Sequence, residues 1–179
     1  MRKPAPALSF GETCWHGSYE RMIISAKQLS LPLRFPSWRI VKDGTPAAAK
    51  LANRHYSRLS RGRSGSRIMP PGKSIIILNE EQDWLFCWNR QCYRRDGLGR
   101  LPECTLFRNE GDRLSSSIIL ECEDVLTKVH PNWPKCVFTY VDPALVKSPN
   151  PGYCFRMAGW RQIDRSIKGL ILMMKILTR

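Results

Sequence analysis

The chain is poor in acidic residues. Its 179 residues include 15 Asp and Glu against 29 Lys and Arg, which gives a formal net charge of +14. This surplus is not typical of an enzyme acting on small metabolites, and it indicates a polyanionic partner, nucleic acid ahead of a membrane surface. With 42% hydrophobic and 25% charged residues the composition excludes a disordered chain, and the length suits one ordinary domain.

Long hydrophobic runs are also missing. The longest apolar stretch, Gly169 to Leu177, has nine residues and contains Lys175, so it is too short to cross a bilayer. Arg2 and Lys3 are followed by Pro-Ala-Pro. A secretory signal would have an apolar segment there, so none is expected. We therefore expect a cytoplasmic protein without a membrane partner.

Paired cysteine motifs are absent from the sequence. The seven Cys residues are odd in number, and they contain no CxxC pair. The closest two, Cys87 and Cys92, are separated by four residues and have no second pair to complete a zinc site. We expect buried, free thiols in a reducing cytosol.

Apolar periodicity and turn signals divide the chain into an arm and a domain. Residues 1–36 lack a clear period and are interpreted as an N-terminal arm, and residues 37–179 as a single domain. The predicted order, β-α-β-β-β-α-β-α-β-β, belongs to the α/β (α+β) class with one central mixed sheet. The predicted strands are 38–41, 73–79, 84–88, 104–108, 136–141, 160–163 and 169–177, and the predicted helices are 47–56, 115–129 and 150–158.

A basic segment containing His and Tyr follows the first predicted helix. The residues from Lys50 to Arg67 carry six positive charges and no acid, and they include His55 and Tyr56. Either the segment is a solvated basic loop, or its arginines bind phosphates beside a His-Tyr site. The candidate nucleic-acid-binding residues are Arg54, Arg58, Arg61, Arg63 and Arg67.

Two further segments place polar groups directly after predicted strands. Arg108 ends a strand, and a turn with Gly111 then leads to three serines at a helix start. The free N–H groups and the helix dipole there can bind an anion, unless the serines only cap the helix. Asp142 follows another strand and precedes Pro143, so it either points into a cleft or initiates a turn.

The segment from Asn150 to Trp160 resembles a signature near the end of the GNAT (N-acetyltransferase) fold. In it Gly159 ends a helix and an aromatic residue starts the next strand. The predicted element order is similar to that fold. The resemblance implies flanking helices and a central mixed sheet with splayed fourth and fifth strands, which admit the donor's pantetheine. The donor loop Arg/Gln-x-x-Gly-x-Gly/Ala of that fold is incomplete here, since only Gly111 is present.

Five strings, in the same order, resemble the Mom family of phage DNA-modification proteins over residues 37 to 172. They are 53–58, 107–110 with 115–116, 140–143, 150–155 and 158–161. The resemblance implies an enzyme that adds a methylcarbamoyl group to the N6 amine of adenine in DNA, in the cytoplasm of the bacterial host, and so protects phage DNA from restriction. It implies acetyl-CoA or another two-carbon or glycyl carrier as the donor, and iron as a further candidate cofactor.

The resemblance also implies roles for individual residues. Tyr56 would stack on an adenine flipped out of double-stranded DNA. Asp142 would accept a proton or hydrogen bond from its amine, and Arg108 would hold an anionic donor. The candidate catalytic residues are His55, Tyr56, Arg108, Asp142 and Tyr153, where Tyr153 would protonate the leaving group. The donor would be bound by Gly111, Ser115, Ser116 and Ser117, and iron by His55, Tyr56 and Asp142.

Two other functions remain open. One is a non-catalytic DNA-binding module on a degenerate acyltransferase fold, which would explain the incomplete donor loop but has no need of Asp142 or Tyr153. The other is a GNAT-type acyltransferase acting on RNA or protein. For the enzyme we expect the five catalytic candidates to converge in one cleft. The strands that end at Arg108 and before Asp142 are joined by one helix and should be parallel, with their carboxyl ends at the same edge.

Overall fold

A computed structural model describes residues 37–59, 65–91, 93–94 and 96–178. In this part of the chain seven strands and four helices form a mixed α+β fold. The strands are β1 (Trp38–Val41), β2 (Lys73–Asn79), β3 (Trp84–Arg90), β4 (Glu103–Asn109), β5 (Cys136–Val141), β6 (Arg161–Arg165) and β7 (Ile171–Ile176). The helices are α1 (Pro46–Asn53), α2 (Tyr56–Leu59), α3 (Ser115–Val129) and α4 (Tyr153–Met157). The interpretation of residues 1–36 as an arm falls outside the described residues, as do Arg61, Arg63 and Cys92.

The seven strands form one sheet in the order β1-β2-β3-β4-β5-β7-β6. All neighbouring strands are antiparallel except β4 and β5, which are parallel, as predicted from the helix that joins them. The predicted hairpin of β2 and β3 is also confirmed. In its turn the Asn79 side-chain oxygen accepts the N–H groups of Asp83 and Trp84 at 3.1 and 2.9 Å. The prediction of one central mixed sheet is therefore confirmed.

The sheet is buried on both faces near its centre. Ile77 and Phe86 pack toward α3, whereas Ile76 and Leu85 pack toward α1. Successive side chains of a strand point to opposite faces, so a strand covered on both sides carries an unbroken apolar run. This explains the continuous hydrophobic sequences of β2 and β3.

Two helices differ from their predicted ranges. The predicted helix 47–56 is split, because the N–H groups of Arg54 and His55 donate to carbonyls three residues back, at 3.1 and 2.9 Å, and tighten the chain into a turn. The second, predicted over 150–158, begins only at Tyr153. The residue before it, Gly152, has a φ of +78°, a left-handed conformation that an α-helix cannot include.

The five cysteines of the described residues are free, as predicted for them. Cys87, Cys104 and Cys122 are buried, and the other two are half-buried. Burial raises the pKa of the Cys104 and Cys122 thiols, so neither is a thiolate nucleophile at neutral pH. Within the described ranges no helix is both long enough and apolar enough to cross a membrane.

Candidate active site at the gap between two parallel strands

The parallel strands β4 and β5 pair at a single position, Glu103 with Phe138. Next to it the Phe138 N–H donates to the Pro102 carbonyl at 3.1 Å, and the Thr139 hydroxyl donates to the Cys104 carbonyl at 2.8 Å. Beyond this point residues 104–107 and 109 on one strand and 139–141 on the other line a cavity instead of pairing. The two strands therefore separate toward their carboxyl ends.

A β-bulge in β4 lies where the separation begins. Cys87 of β3 pairs with Leu106, but the next residue, Trp88, pairs with Cys104, so Thr105 is an extra residue in β4. A bulge bends the strand that carries it and increases its local twist. The bulge thus gives a physical reason for β4 to turn away from β5.

Two cavities adjoin at this gap. The larger, of about 990 Å³, lies on the side of the sheet covered by α2 and the segment 67–70, and the smaller, of about 230 Å³, lies between the strands. Both are lined by His55 and Tyr56 and by Cys104, Thr105 and Leu106 of β4. The larger volume is at the upper end of the range for small-molecule sites. His55 and Tyr56 therefore lie where the two cavities meet.

His55 is buried and uses both ring nitrogens. Nδ1 lies 2.8 Å from the Ser57 hydroxyl oxygen and accepts the Ser57 N–H at 3.3 Å. The ring proton is therefore on Nε2, which donates to the Phe107 carbonyl. Burial, together with the charge of Arg108, lowers the pKa of His55 to about 4, although the bond to Phe107 opposes this. His55 is a neutral imidazole at pH 7.

Tyr56 and Asp142 both line the larger cavity. Burial raises the pKa of Tyr56, and a hydrogen bond from the Asp142 backbone partly offsets the rise. The Tyr56 hydroxyl is therefore protonated at neutral pH and reaches the start of the turn after β5. The Asp142 carboxylate accepts the Ala144 N–H at 3.0 Å through Oδ1. Since the Tyr56 ring lies 4.2 Å from that of His55, the structure brings three of the five catalytic candidates together.

Arg108 lies near His55 but outside both cavities. Its Nε donates to Glu110 at 2.5 Å, and its Nη1 donates to the Arg54 carbonyl at 2.7 Å. Arg54 also pairs with Glu110. Hydrogen bonds from Arg54 and Arg108 lower the pKa of Glu110 to about 2. Arg108 thus connects β4 to the end of α1. Its effect on the site is electrostatic, because its positive charge helps to lower the pKa of His55.

Tyr153 does not line either cavity. It opens α4, and its side chain is 54% exposed. Its neighbours Gly152, Cys154 and Phe155 line the smaller cavity. The chain therefore passes the smaller cavity at this point, but the Tyr153 side chain faces solvent.

Arg58 was predicted to bind phosphate from an exposed loop, but its side chain is buried. Its guanidinium donates to the Asn53 side chain at 3.0 Å and to the carbonyls of Arg67 and Ile68 at 3.2 and 3.4 Å. Arg58 therefore holds the basic segment against the domain. Arg54 and Arg67 stay exposed, and Arg67 lines the larger cavity.

The turn expected to bind the donor's diphosphate already uses backbone N–H groups internally. The Glu110 N–H donates to the Asp83 carbonyl at 2.8 Å, and the Gly111 N–H donates to the Asn109 side chain at 3.1 Å. A Cβ added to Gly111 would collide with the Asp83 carboxylate. With these N–H groups engaged and the Asp83 carboxylate packed against Gly111, the turn does not fit a diphosphate in this conformation.

The three serines of the turn differ in their surroundings. Ser115 lines the smaller cavity, and its hydroxyl accepts the Asn109 side-chain amide at 3.1 Å. Ser116 is half-buried and Ser117 exposed in the first turn of α3, and neither lines a cavity. Of the four donor-binding candidates, Ser115 alone is placed against the smaller cavity.

The residues suggested for iron, His55, Tyr56 and Asp142, lie together in the lining of the larger cavity, and iron binding by them stays a prediction. Both nitrogens of His55 are engaged with Ser57 and Phe107. Among the described residues no group of three or more His, Cys, Asp and Glu side chains is placed to hold a metal ion.

An ion-paired wall of the larger cavity was missed from the sequence. Arg94 pairs with Asp96 and Glu103, and its guanidinium lies 4.8 Å from the ring centroid of Phe138. The Tyr140 hydroxyl donates to Asp96 at 3.2 Å. In the sequence, residues 90–100 are rich in Arg and contain two Gly, a composition typical of a basic loop. The nearest acid in the sequence is Asp96, two residues after Arg94, and Glu103 follows seven residues later.

The chain matches no protein-family model, no curated protein and no solved structure. The site described above is the gap between β4 and β5 with its two adjoining cavities.

Proposed function

We propose that the chain is a Mom-type DNA-modifying transferase built on a GNAT-like domain. Its reaction adds a methylcarbamoyl group to the N6 amine of adenine in double-stranded DNA, in the cytoplasm of a bacterial host. The observation that carries the proposal is the gap between β4 and β5, where His55 and Tyr56 border two adjoining cavities. The strand order and the single β4–β5 pair support the GNAT-like assignment, since that fold admits its donor between these strands.

The two cavities suit two substrates of different size. The larger, with Tyr56 and Asp142 in its lining and exposed Arg67 among its residues, suits an adenine nucleotide flipped from the duplex. The smaller, of about 230 Å³, suits the two-carbon end of a donor. Because the turn at Gly111 does not fit a diphosphate, a donor other than intact acetyl-CoA, such as another two-carbon or glycyl carrier, is favoured.

The product determines which bonds change. One hydrogen of the amine is replaced by CH₂–C(=O)–NH₂, so the nitrogen bonds to the methylene carbon. Direct transfer therefore needs a two-carbon donor X–CH₂–C(=O)–NH₂ with the leaving group X on that carbon: the nitrogen–carbon bond forms, the carbon–X bond breaks, X departs with the bonding electrons, and a proton leaves the amine. The lone pair of that amine is delocalised into the ring, which makes it a weak nucleophile. Asp142 is the candidate acceptor for the proton, and Tyr56, protonated at neutral pH, is the candidate for positioning the base.

The electrostatics support a nucleic-acid substrate. The net charge is +14, and exposed Arg67 lies on the segment that carries His55 and Tyr56, where Arg54 is paired with Glu110. Cations placed beside the site would hold the phosphates next to a flipped nucleotide. Buried Arg58 serves this binding indirectly by holding the segment in place.

Nucleoside mass spectrometry of DNA from bacteria that express the chain tests the proposal. The expected result is a modified adenine in DNA, with none in RNA and no acyl group on protein from the same cells. Modified RNA or protein would assign the alternative acyltransferase activity. Unmodified macromolecules, together with DNA binding by the purified chain, would assign the non-catalytic module.

A further inference from the structure

Tyr93 is an exposed aromatic residue at the larger cavity. It lies on the loop between β3 and β4, it lines the cavity, and it is 95% exposed. A tyrosine left almost entirely in water keeps both faces of its ring free for a ligand. The nucleic-acid candidates predicted from the sequence did not include it, because a single Tyr in a basic loop has no periodic signal.

The loop that carries Tyr93 is held by its neighbours. Arg94, the next residue, pairs with Asp96 and Glu103, and its side chain is 12% exposed. At the base of the loop the Arg90 side chain donates to the Arg100 carbonyl at 2.8 Å, and the Arg100 N–H donates to the Gln91 carbonyl at 3.4 Å. These bonds hold the Arg94 side chain and the two ends of the loop against the domain.

The surroundings of Tyr93 match the parts of a nucleotide. Arg67, exposed and in the lining of the same cavity, is a cation for a phosphate. The Arg94 charge is neutralised by its two acids, so it adds little net attraction for a phosphate. An aromatic ring beside a free guanidinium is the combination that proteins use to bind single-stranded nucleic acid, where bases stack and phosphates pair with cations.

We propose that Tyr93 stacks on an unpaired nucleobase of the bound nucleic-acid strand beside the larger cavity. The inference rests on the proposed function for the identity of the polymer, but it concerns binding and not the reaction. Stacking needs no base-specific hydrogen bond, so Tyr93 would position the strand without selecting its sequence.

Binding of the full chain to a short single-stranded oligonucleotide and to its abasic counterpart tests the proposal. The two ligands have the same phosphates, but one of them lacks bases. Tyr93→Ala should weaken binding to the normal strand about 5- to 150-fold, since a stacked base contributes about 1–3 kcal/mol. It should leave binding to the abasic strand unchanged. Tyr93→Phe, the matched control, should bind both strands as the parent chain does.

Three outcomes would overturn the proposal: equal binding by Tyr93→Ala and the parent chain, an equal loss for both strands, or a loss for Tyr93→Phe as large as for Tyr93→Ala. Circular dichroism shows whether each variant is folded, and exposed Tyr93 can be replaced without disturbing a core contact. If Tyr93 dependence is seen but no modified nucleoside is found, the stacking inference stands and the proposed reaction fails. If modification is found without Tyr93 dependence, only the stacking inference fails.

Discussion

The hydroxyl of Thr139 donates a hydrogen bond to the Cys104 carbonyl at 2.8 Å, at the point where β5 and β4 separate. Both residues are buried. A strand that leaves its neighbour exposes backbone groups that must find other partners, and a buried carbonyl without one is costly. Thr139 thus supplies the Cys104 carbonyl with a partner next to the gap.

Replacing Thr139 with Val should therefore lower the free energy of unfolding. Val has nearly the same shape but no hydroxyl, so the buried Cys104 carbonyl would lose its partner, at a cost of about 1–3 kcal/mol. Urea unfolding followed by tryptophan fluorescence measures the change. Thr139→Ser keeps the hydroxyl and serves as the control. A Val variant as stable as the parent chain would show that the bond does not support the gap.

His55 should make the stability of the domain depend on pH below neutrality. Its pKa is about 4 in the folded chain, against an ordinary value of 6.5. Between these values the unfolded chain binds more protons at this site, so stability rises with pH through the window and falls on acidification. The full shift corresponds to about 3 kcal/mol.

Urea unfolding at pH 7 and at pH 4.5 checks this prediction, with His55→Gln as the comparison. The variant cannot bind a proton at this position, so its stability should change less between the two pH values than that of the parent chain. His130, whose pKa is also lowered by burial, is present in both proteins and cancels in the comparison. Equal pH dependence in the two chains would contradict the buried, neutral state of His55.

Tyr56 should affect both binding and reaction. Tyr56→Ala removes the ring that would stack on the flipped adenine, so DNA affinity should fall by about 1–3 kcal/mol and modification should fall with it. Tyr56→Phe keeps the ring and should keep the affinity. Fluorescence anisotropy with a labelled duplex measures binding, and nucleoside mass spectrometry measures modification. Unchanged affinity of the Ala variant would remove Tyr56 from the DNA site.

The basic segment should determine how DNA affinity depends on salt. Each phosphate contact adds about 0.9 to the slope of log affinity against log salt for duplex DNA. Arg67→Ala should lower the slope by about that amount, and the Arg61, Arg63 and Arg67 triple Ala variant should lower it further. Arg165→Ala on the edge strand β6 is the matched control. An unchanged slope in the triple variant would show that DNA binds elsewhere.

The regular elements were predictable because burial leaves a local pattern. The stripe of α3 and the β-rich run of β5 gave the bounds that the structure has, Ser115–Val129 and Cys136–Val141. Each pattern spans one element and depends on one buried face. The parallel pairing of β4 and β5 followed from the length of the connection between them. The predictable carboxyl edge of the parallel strands placed Asp142 at the site, whereas Arg108, expected there by the same argument, lies outside both cavities.

Pairings between distant side chains were not predictable. Arg58 and Arg67 look alike in the sequence, yet one is buried against loop carbonyls and the other is exposed. Arg108 is fixed by a bond to the Arg54 carbonyl, 54 positions away. No local period records such a contact. For the same reason the pairing of Arg94 with Glu103 became visible only in the folded chain.

The most direct measurement of the central claim compares Asp142→Asn with the parent chain by nucleoside mass spectrometry of cellular DNA. The variant removes the proposed proton acceptor but no phosphate contact, so modified adenine should disappear while duplex affinity stays within a few-fold of the parent value. Asp164→Asn on exposed β6 should leave modification intact. If Asp142→Asn modifies DNA as well as the parent chain, or if the parent chain leaves adenine unmodified, the account is contradicted.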